Sequence, residues 1–429
     1  VVVPSGQLPL VSARLVVGAG GAEDPAARPG VASMTATLLD QGTRTRSAPQ
    51  IATEVEALGA ALSAGAGWDS SSLGMNAPVD KLEAAGRVFA DVAVNPAFAA
   101  EELERQRQQA LDGLEVSMRQ PGSLAGLVTP RIVYGAAPYG HPLDGTPASL
   151  KAMTTEEVST YHRTWWRPDN ATLVLTGQIT PEAGFAFAER IFGAWRAPAT
   201  PLPAAAASKA GAPLAPRVVV VNLPNSGQAA VVASMRSIAR RDPSYFPLLV
   251  ANSVLGGGYS ARLNQEIRIK RGLSYGASSS LSARRDVGTL AASTQTKNES
   301  AAEVVGLVRG ELERLGREPV PPTELTPRKA VLTGQFGRNL GTTEGLAELI
   351  SSLVSNGLAL AELQRFAPNV RAVTPEAIRE AVAAKLAVGQ PNILVVGEAS
   401  VFLDQLRKLA PQVEVIEGAQ VNLDSPTLR

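Results

Sequence analysis

TTEEVSTYHRTWWRPDNATLVLTG, residues 154–177, and TPEAIREAVAAKLAVGQPNILVVG, residues 374–397, are two copies of one pattern. Each opens on a threonine N-cap (Thr154, Thr374), continues as a helix, and breaks at a proline-containing turn with Asn170 or Asn392. Each then ends in a short apolar strand closed by glycine. The offset is 220 at the threonines (374 − 154) and again at the glycines (397 − 177). Agreement at both ends points to a duplicated design rather than two helix–turn–strand units alike by chance.

Working outward, the order repeats. LPLVSARLVV (8–17) and SGQAAVVASM (226–235) read as strands, each followed by a turn with Asp-Pro, at Asp24-Pro25 and Asp242-Pro243. Leu82, Ala85, Phe89 and Val92 form an apolar helical stripe behind the capping pair Asp80 and Glu83. Val304, Val308, Leu312 and Leu315 form its counterpart behind Ser300 and Glu303. Between the halves, APATPLPAAAASKAGAPLAP (197–216) has no periodicity and reads as a partly extended linker. The expectation is an α+β chain of two homologous domains, 1–197 and 216–429, joined by a linker at 198–215. Each domain would be a largely antiparallel sheet covered by helices.

Composition narrows the chemistry. Forty basic and 39 acidic residues leave a net charge of +1, which gives no footprint for nucleic acid. No apolar run approaches the roughly 20 residues of a membrane span. Cysteine is absent, so disulfides, thiolate nucleophiles and Cys-type zinc sites are excluded. The two histidines, His141 and His162, stand 21 positions apart with no acidic cluster, a poor basis for a protein-built metal site. The start at Val1 without Met reads as trimming after a targeting segment, and the expected compartment is the periplasm, with the cytoplasm as the alternative. The Ala- and Arg-rich composition suggests a bacterial source.

GVASMTATLLDQGT, from Gly30 to Thr43, resembles the phrase GLAHFLEHMLFKGT of the M16 metallopeptidases, the pitrilysin and mitochondrial processing peptidase family. The likeness runs along essentially the whole chain and implies the LuxS/MPP-like metallohydrolase fold, with its two domains facing each other as a clamshell. In active members this helix carries His-x-x-Glu-His; here Ser33, Ala36 and Thr37 fill the three slots. The family's third ligand falls in ELERQRQQALDGLEV, at Gly113 or, in a neighbouring register, Asp112. A metal-bound water with pKa near 7 and a carboxylate to take its proton cannot be built from Ser, Ala and Thr. No cofactor is therefore expected on this chain, and zinc is expected in a partner.

The second half keeps another family signature. In NQEIRIKRGLSYGASSSL (264–281), Arg268 and Tyr275 stand seven apart, within the frame GGGYSARLNQEIR–xx–RGLSYG. The resemblance implies that such a pair closes over the scissile peptide and stabilises the oxyanion. Arg supplies a permanent forked donor and Tyr a directed hydroxyl. The chain so read is an M16B-type inactive subunit of a heterodimer with a homologous His-x-x-Glu-His partner. It acts on oligopeptides or unfolded segments, and alone it cleaves nothing. The alternatives are a structural M16 homologue serving as a scaffold and, further off, a serine hydrolase using Ser274.

Other signals carry less. GLSYG (272–276) fits a nucleophile-elbow pattern, but the elbow needs a strand before it, a helix after it and a downstream His. Gly256–Gly258 lacks the Lys-Ser/Thr ending of a phosphate loop and reads as a turn between helices. GAGG (18–21) reads as a strand-ending turn, His141 as a loop brace and His162 as a packed helix residue.

Overall fold

The computed structural model describes residues 1–6 and 8–429. Its strands form two sheets. The first contains Val2–Pro4 (β1), Leu10–Val17 (β2), Ala61–Ala66 (β3), Ser71–Pro78 (β4) and Ala171–Gly177 (β5), in the order β1-β5-β2-β4-β3. The second contains Val218–Asn222 (β6), Ala229–Arg236 (β7), Ser274–Ser282 (β8), Thr289–Thr296 (β9), Asn392–Gly397 (β10) and Glu414–Glu417 (β11). Its order is β11-β6-β10-β7-β9-β8, which is the first order repeated with β11 added outside. Most pairs are antiparallel; β1–β5, β6–β10 and β6–β11 are parallel.

Local chemistry starts the repeated elements as expected in one place and not in another. Thr154 accepts from the Glu157 amide while the Glu157 side chain bonds back to the Thr154 amide, a full capping box. Thr374 accepts from the Ala377 amide at 3.2 Å. The caps expected at Asp80 and Ser300 do not form. A 3₁₀ turn, Val79–Lys81 or Asn298–Ser300, runs directly into each helix. The preceding residue is then already helical in its backbone, so no extended N-cap exists to turn a side chain inward.

Two compact units result. One comprises residues 1–112, 143–207 and 335–364; the other comprises 113–142, 208–334 and 365–429. The compact units do not coincide with the expected halves 1–197 and 216–429; each draws on both. The drawn segments, 113–142 and 335–364, are themselves equivalents, displaced by 222 residues at either end (335 − 113, 364 − 142). Each is entered along a 19-residue helix, Ala100–Met118 or Pro322–Leu340.

The reason lies in the sheets. β7 is buried at seven successive positions, so both of its faces need cover. One face packs on the helix Ala301–Arg317 through Val304, Val308 and Leu312. The other packs on the helix Pro121–Tyr134, where Leu124, Ala125, Val128 and Ile132 meet Val232, Leu394 and Val396. Tyr134 Oη closes that helix onto Thr289 Oγ1 at 2.6 Å. In the first unit, helix Thr343–Ser355 sets Leu346, Ala347 and Ile350 against Val174. There the Thr343 carbonyl accepts from Thr176 Oγ1 at 2.7 Å.

The linker is anchored within each unit. The carbonyls of Pro198 and Thr200 accept from Arg167, whereas Asp286 accepts from the amides of Lys209 and Ala210. No helix of the described residues is long and apolar enough to cross a membrane.

Two consequences are testable. Leu124→Ala removes a fully buried side chain from the borrowed helix and is expected to cost about 2–5 kcal/mol in a denaturant titration. Residues 1–207 and 208–429 produced separately are each expected to bind an apolar dye and to unfold without cooperativity. Co-expression is expected to restore a cooperative transition.

Candidate functional site

The helix carrying the first motif, Val31–Leu38, begins at Gly30. The Asp24 carboxylate accepts from the Gly30 and Ala32 amides at 2.6 and 2.8 Å, which satisfies two donors of the helix start. Burial pushes this carboxyl up to about 8 despite those bonds. Ser33 Oγ donates to Asp144 Oδ1 at 2.7 Å, Ala36 is buried, and Thr37 is exposed. Gly113 offers no side chain, and Asp112 Oδ1 accepts from Gln108 Nε2 at 2.7 Å. Zinc wants imidazole, thiolate or carboxylate groups converging on one point, and these residues do not fit it. Among the described residues no group of three His, Cys, Asp or Glu side chains is placed to hold a metal.

The second motif builds a different kind of site, wholly within the second unit. Residues 262–264 are helical, and Gln265–Ile269 widen into a π turn in which the Lys270 amide bonds the Gln265 carbonyl at 2.9 Å. Such insertions redirect side chains and recur at functional sites. Arg268 stands on this turn, half-buried. Gly272, at φ 64°, ends the helix in the left-handed region and sends the chain into β8. β8 is the edge strand of its sheet, and its pairing with β9 shifts register between Ser274 and Ala277. The bulge lies at Tyr275 and Gly276. It is held by Thr294 Oγ1 on the Gly276 carbonyl and Thr296 Oγ1 on the Leu273 carbonyl. Tyr275 is thereby turned outward, 90% exposed.

The π turn and the bulge bring the two residues together: Arg268 Cζ lies 4.9 Å from the centroid of the Tyr275 ring. It lies equally far from the ring of Tyr259, a residue the sequence reading passed over inside GGGYSARLNQEIR. Asn264, almost fully buried, ties the pieces together. Its Nδ2 donates to the Tyr259 carbonyl at 2.6 Å and its Oδ1 accepts from the Ala277 amide at 3.3 Å. The triple glycine has a packing role as well as a turning one. A Cβ on Gly256 would stand 2.2 Å from the Ser279 amide nitrogen, so only glycine lets this helix end press on β8.

These residues open on a cleft of about 880 Å³, lined also by Gln120, Gln228 and Gln295. Among the described lining residues Arg268 alone is charged; the others are amides, hydroxyls, ring faces and small apolar groups. The Arg268 guanidinium has no ion pair or hydrogen bond among the described residues, and neither has the Tyr275 hydroxyl. Such a site can present a cation and a hydroxyl to an extended chain bearing carbonyl oxygens.

The remaining candidates take structural places. Ser274 follows the π turn and starts a strand, the reverse of an elbow, and its buried Oγ has no hydrogen-bond partner among the described residues. His141 is buried with Nδ1 2.9 Å from the Pro142 carbonyl. His162 stacks on Trp166 with 16° between the rings and donates through Nε2 to the Ala93 carbonyl at 2.9 Å. Burial pulls its imidazole down to about 4.

Comparison with known proteins bears on the family and the fold. Residues 1–146 match the family model described as insulinase (peptidase family M16), and residues 152–332 match the peptidase M16 inactive domain. The chain is 27% identical over 322 residues to an uncharacterized zinc protease of Mycobacterium tuberculosis, covering 74% of this chain and 72% of that one. To an uncharacterized zinc protease of Streptomyces coelicolor it is 25% identical over 363 residues, covering 84% and 79%. A crystal structure of a peptidase M16 inactive domain from Pseudomonas fluorescens superposes with a TM-score of 0.85 at 28% identity. That match covers 92% of this chain and 95% of that one.

The lowered imidazole has a sign that can be checked. Between about pH 6.5 and 4 the unfolded chain binds a proton at His162 that the folded chain refuses, so stability present above pH 6.5 is lost as pH falls. The loss is of order 3 kcal/mol. His162→Gln is expected to flatten this part of the stability–pH profile measured by denaturant titration.

Proposed function

Because the chain belongs to peptidase family M16, we propose that it is the metal-free, substrate-binding subunit of a heterodimeric zinc metalloendopeptidase. Arg268 and Tyr275 hold the scissile peptide and stabilise the oxyanion. A homologous partner with an intact His-x-x-Glu-His helix brings the zinc and the general base, so this chain by itself leaves peptides intact.

The observation that carries the reading is the uncommitted guanidinium of Arg268 beside the free Tyr275 hydroxyl, in a cleft without a carboxylate. Two neighbours in the same basic run carry ion pairs: Arg262 bonds Glu324 at 2.7 Å through Nε, and Arg271 bonds Glu266 at 2.6 Å. Arg268 stands in the same basic run and is left with all its donors. The lining supports an extended, uncharged chain as the occupant. Amide and hydroxyl groups can pair with a peptide backbone, and small apolar residues such as Ala230 and Ala277 leave room for side chains. A lone cation in the cleft disfavours basic side chains.

Attack on a peptide carbonyl develops negative charge on oxygen, and a donor aimed at that oxygen contributes about 3 kcal/mol once water is excluded. In the first unit, Ser33, Ala36 and Thr37 supply neither ligand nor base, so the cleavage step belongs to the partner.

The test is peptide cleavage by this chain, by a His-x-x-Glu-His homologue encoded beside it, and by their mixture. Activity is expected only in the mixture, or sharply raised there. Arg268→Ala is expected to lower the rate about 10²–10³-fold and Tyr275→Phe by a smaller factor, with zinc content unchanged. A mixture no faster than the homologue alone would leave a scaffold. Labelling of the isolated chain by a fluorophosphonate would turn attention to Ser274.

A further inference from the structure

We infer that Tyr259 is a third member of the Arg268–Tyr275 pair. It is a positioning residue whose ring face fixes the guanidinium and leaves its N–H edge free for a peptide oxygen. The inference rests on the reading just given and adds a residue to it.

Arg268 Cζ is 4.9 Å from the ring centroids of both Tyr259 and Tyr275, inside the roughly 6 Å reach of a cation–π contact. No ring contact joins Tyr259 and Tyr275 among the described residues, so each ring meets the cation separately. A guanidinium has two ways of being held. Acidic partners take it by its in-plane N–H groups, as Glu324 takes Arg262. Rings take it by its faces and consume none of its five donors. Arg268 is held in the second way alone.

Tyr259 is 64% exposed, so core packing gives no reason for a large ring at this place. Its carbonyl is nevertheless held by one buried side chain, and the hydroxyl of the next residue by another. Asn264, 4% exposed, donates to its carbonyl at 2.6 Å. Arg328, 5% exposed, donates to Ser260 Oγ at 2.6 Å. Gly256 brings the preceding helix end against β8, which sets where the loop begins. A buried amide on its carbonyl and a buried guanidinium on its neighbour order the loop that carries this exposed tyrosine. Fixing Arg268 in advance spares the peptide the entropy of ordering a long side chain.

The test uses the full chain labelled with ¹⁵N. The Nε–Hε signal of Arg268 is identified by its loss in Arg268→Lys, and binding is read by the anisotropy of a fluorescein-labelled, unstructured Ala/Ser/Gln decapeptide. Tyr259→Leu is expected to shift and broaden the Arg268 signal and to weaken peptide binding roughly three- to tenfold. Tyr259→Phe keeps the ring and is expected to keep both properties. The thermal midpoint is expected to stay put in both variants, since the residue is exposed.

An Arg268 signal unmoved in Tyr259→Leu overturns the inference, whatever happens to binding, because Tyr259 would then act on the peptide directly or not at all. Tyr259→Phe as damaging as Tyr259→Leu overturns it too, by assigning the effect to the hydroxyl. Unchanged binding in Tyr259→Leu beside weakened binding in Arg268→Ala defeats this inference and spares the proposed function. A wild-type chain that binds no peptide defeats the proposed function, and the ring contact then stands or falls on the Arg268 signal.

Discussion

A strand that is apolar on both faces cannot leave one of them in water, and β7 is such a strand. The helix Pro121–Tyr134, from the other half of the sequence, covers one of its faces. The same segment supplies Gln120, Gly122 and Ser123 to the cleft, so the wall of the candidate site and the cover of the sheet are one piece of chain. The edge strand β8 can be bulged and exposed because the interior strands β7 and β10 carry the packing.

Packing and polar groups are separated in the first motif as well. The helix Val31–Leu38 is started by Asp24 through two backbone amides and is anchored by Val31, Met34 and Leu38 on its buried face. None of those residues is a metal ligand in the family phrase. The three slots Ser33, Ala36 and Thr37 leave no buried polar group without a partner. Ser33 finds Asp144, Ala36 needs none, and Thr37 has water. The frame residues of the motif are the ones that pack, and the helix does not depend on the three slots.

How much of this could be read from the residues depends on range. Thr154 and Thr374 announced their helices because a cap and its amide are three residues apart. Asp80 and Ser300 failed because a preceding 3₁₀ turn, which no side-chain pattern marks, removes the extended residue a cap requires. The duplication was visible in order and offset. The exchange of 113–142 with 335–364 was not, since an amphipathic helix looks the same whichever sheet it covers. Arg268 and Tyr275 were legible as a spacing within a frame. The π turn and the bulge that turn that spacing into a contact depend on register with β9, a tertiary fact. Tyr259 stood in the same phrase and was passed over, because nothing local says that a tyrosine after three glycines will face an arginine nine residues on.

The exchanged segments also set a timetable. β5 completes the first sheet at Gly177, but the helix that covers it, Thr343–Ser355, is about 180 residues further along. At ribosomal rates of roughly 5–20 residues per second, that leaves the sheet uncovered for roughly 10–35 s of synthesis. During that time the nascent chain presents an apolar surface and calls for a holding chaperone or for slow, late docking. Synonymous changes that slow translation between residues 178 and 343 would lengthen that interval without altering a single side chain.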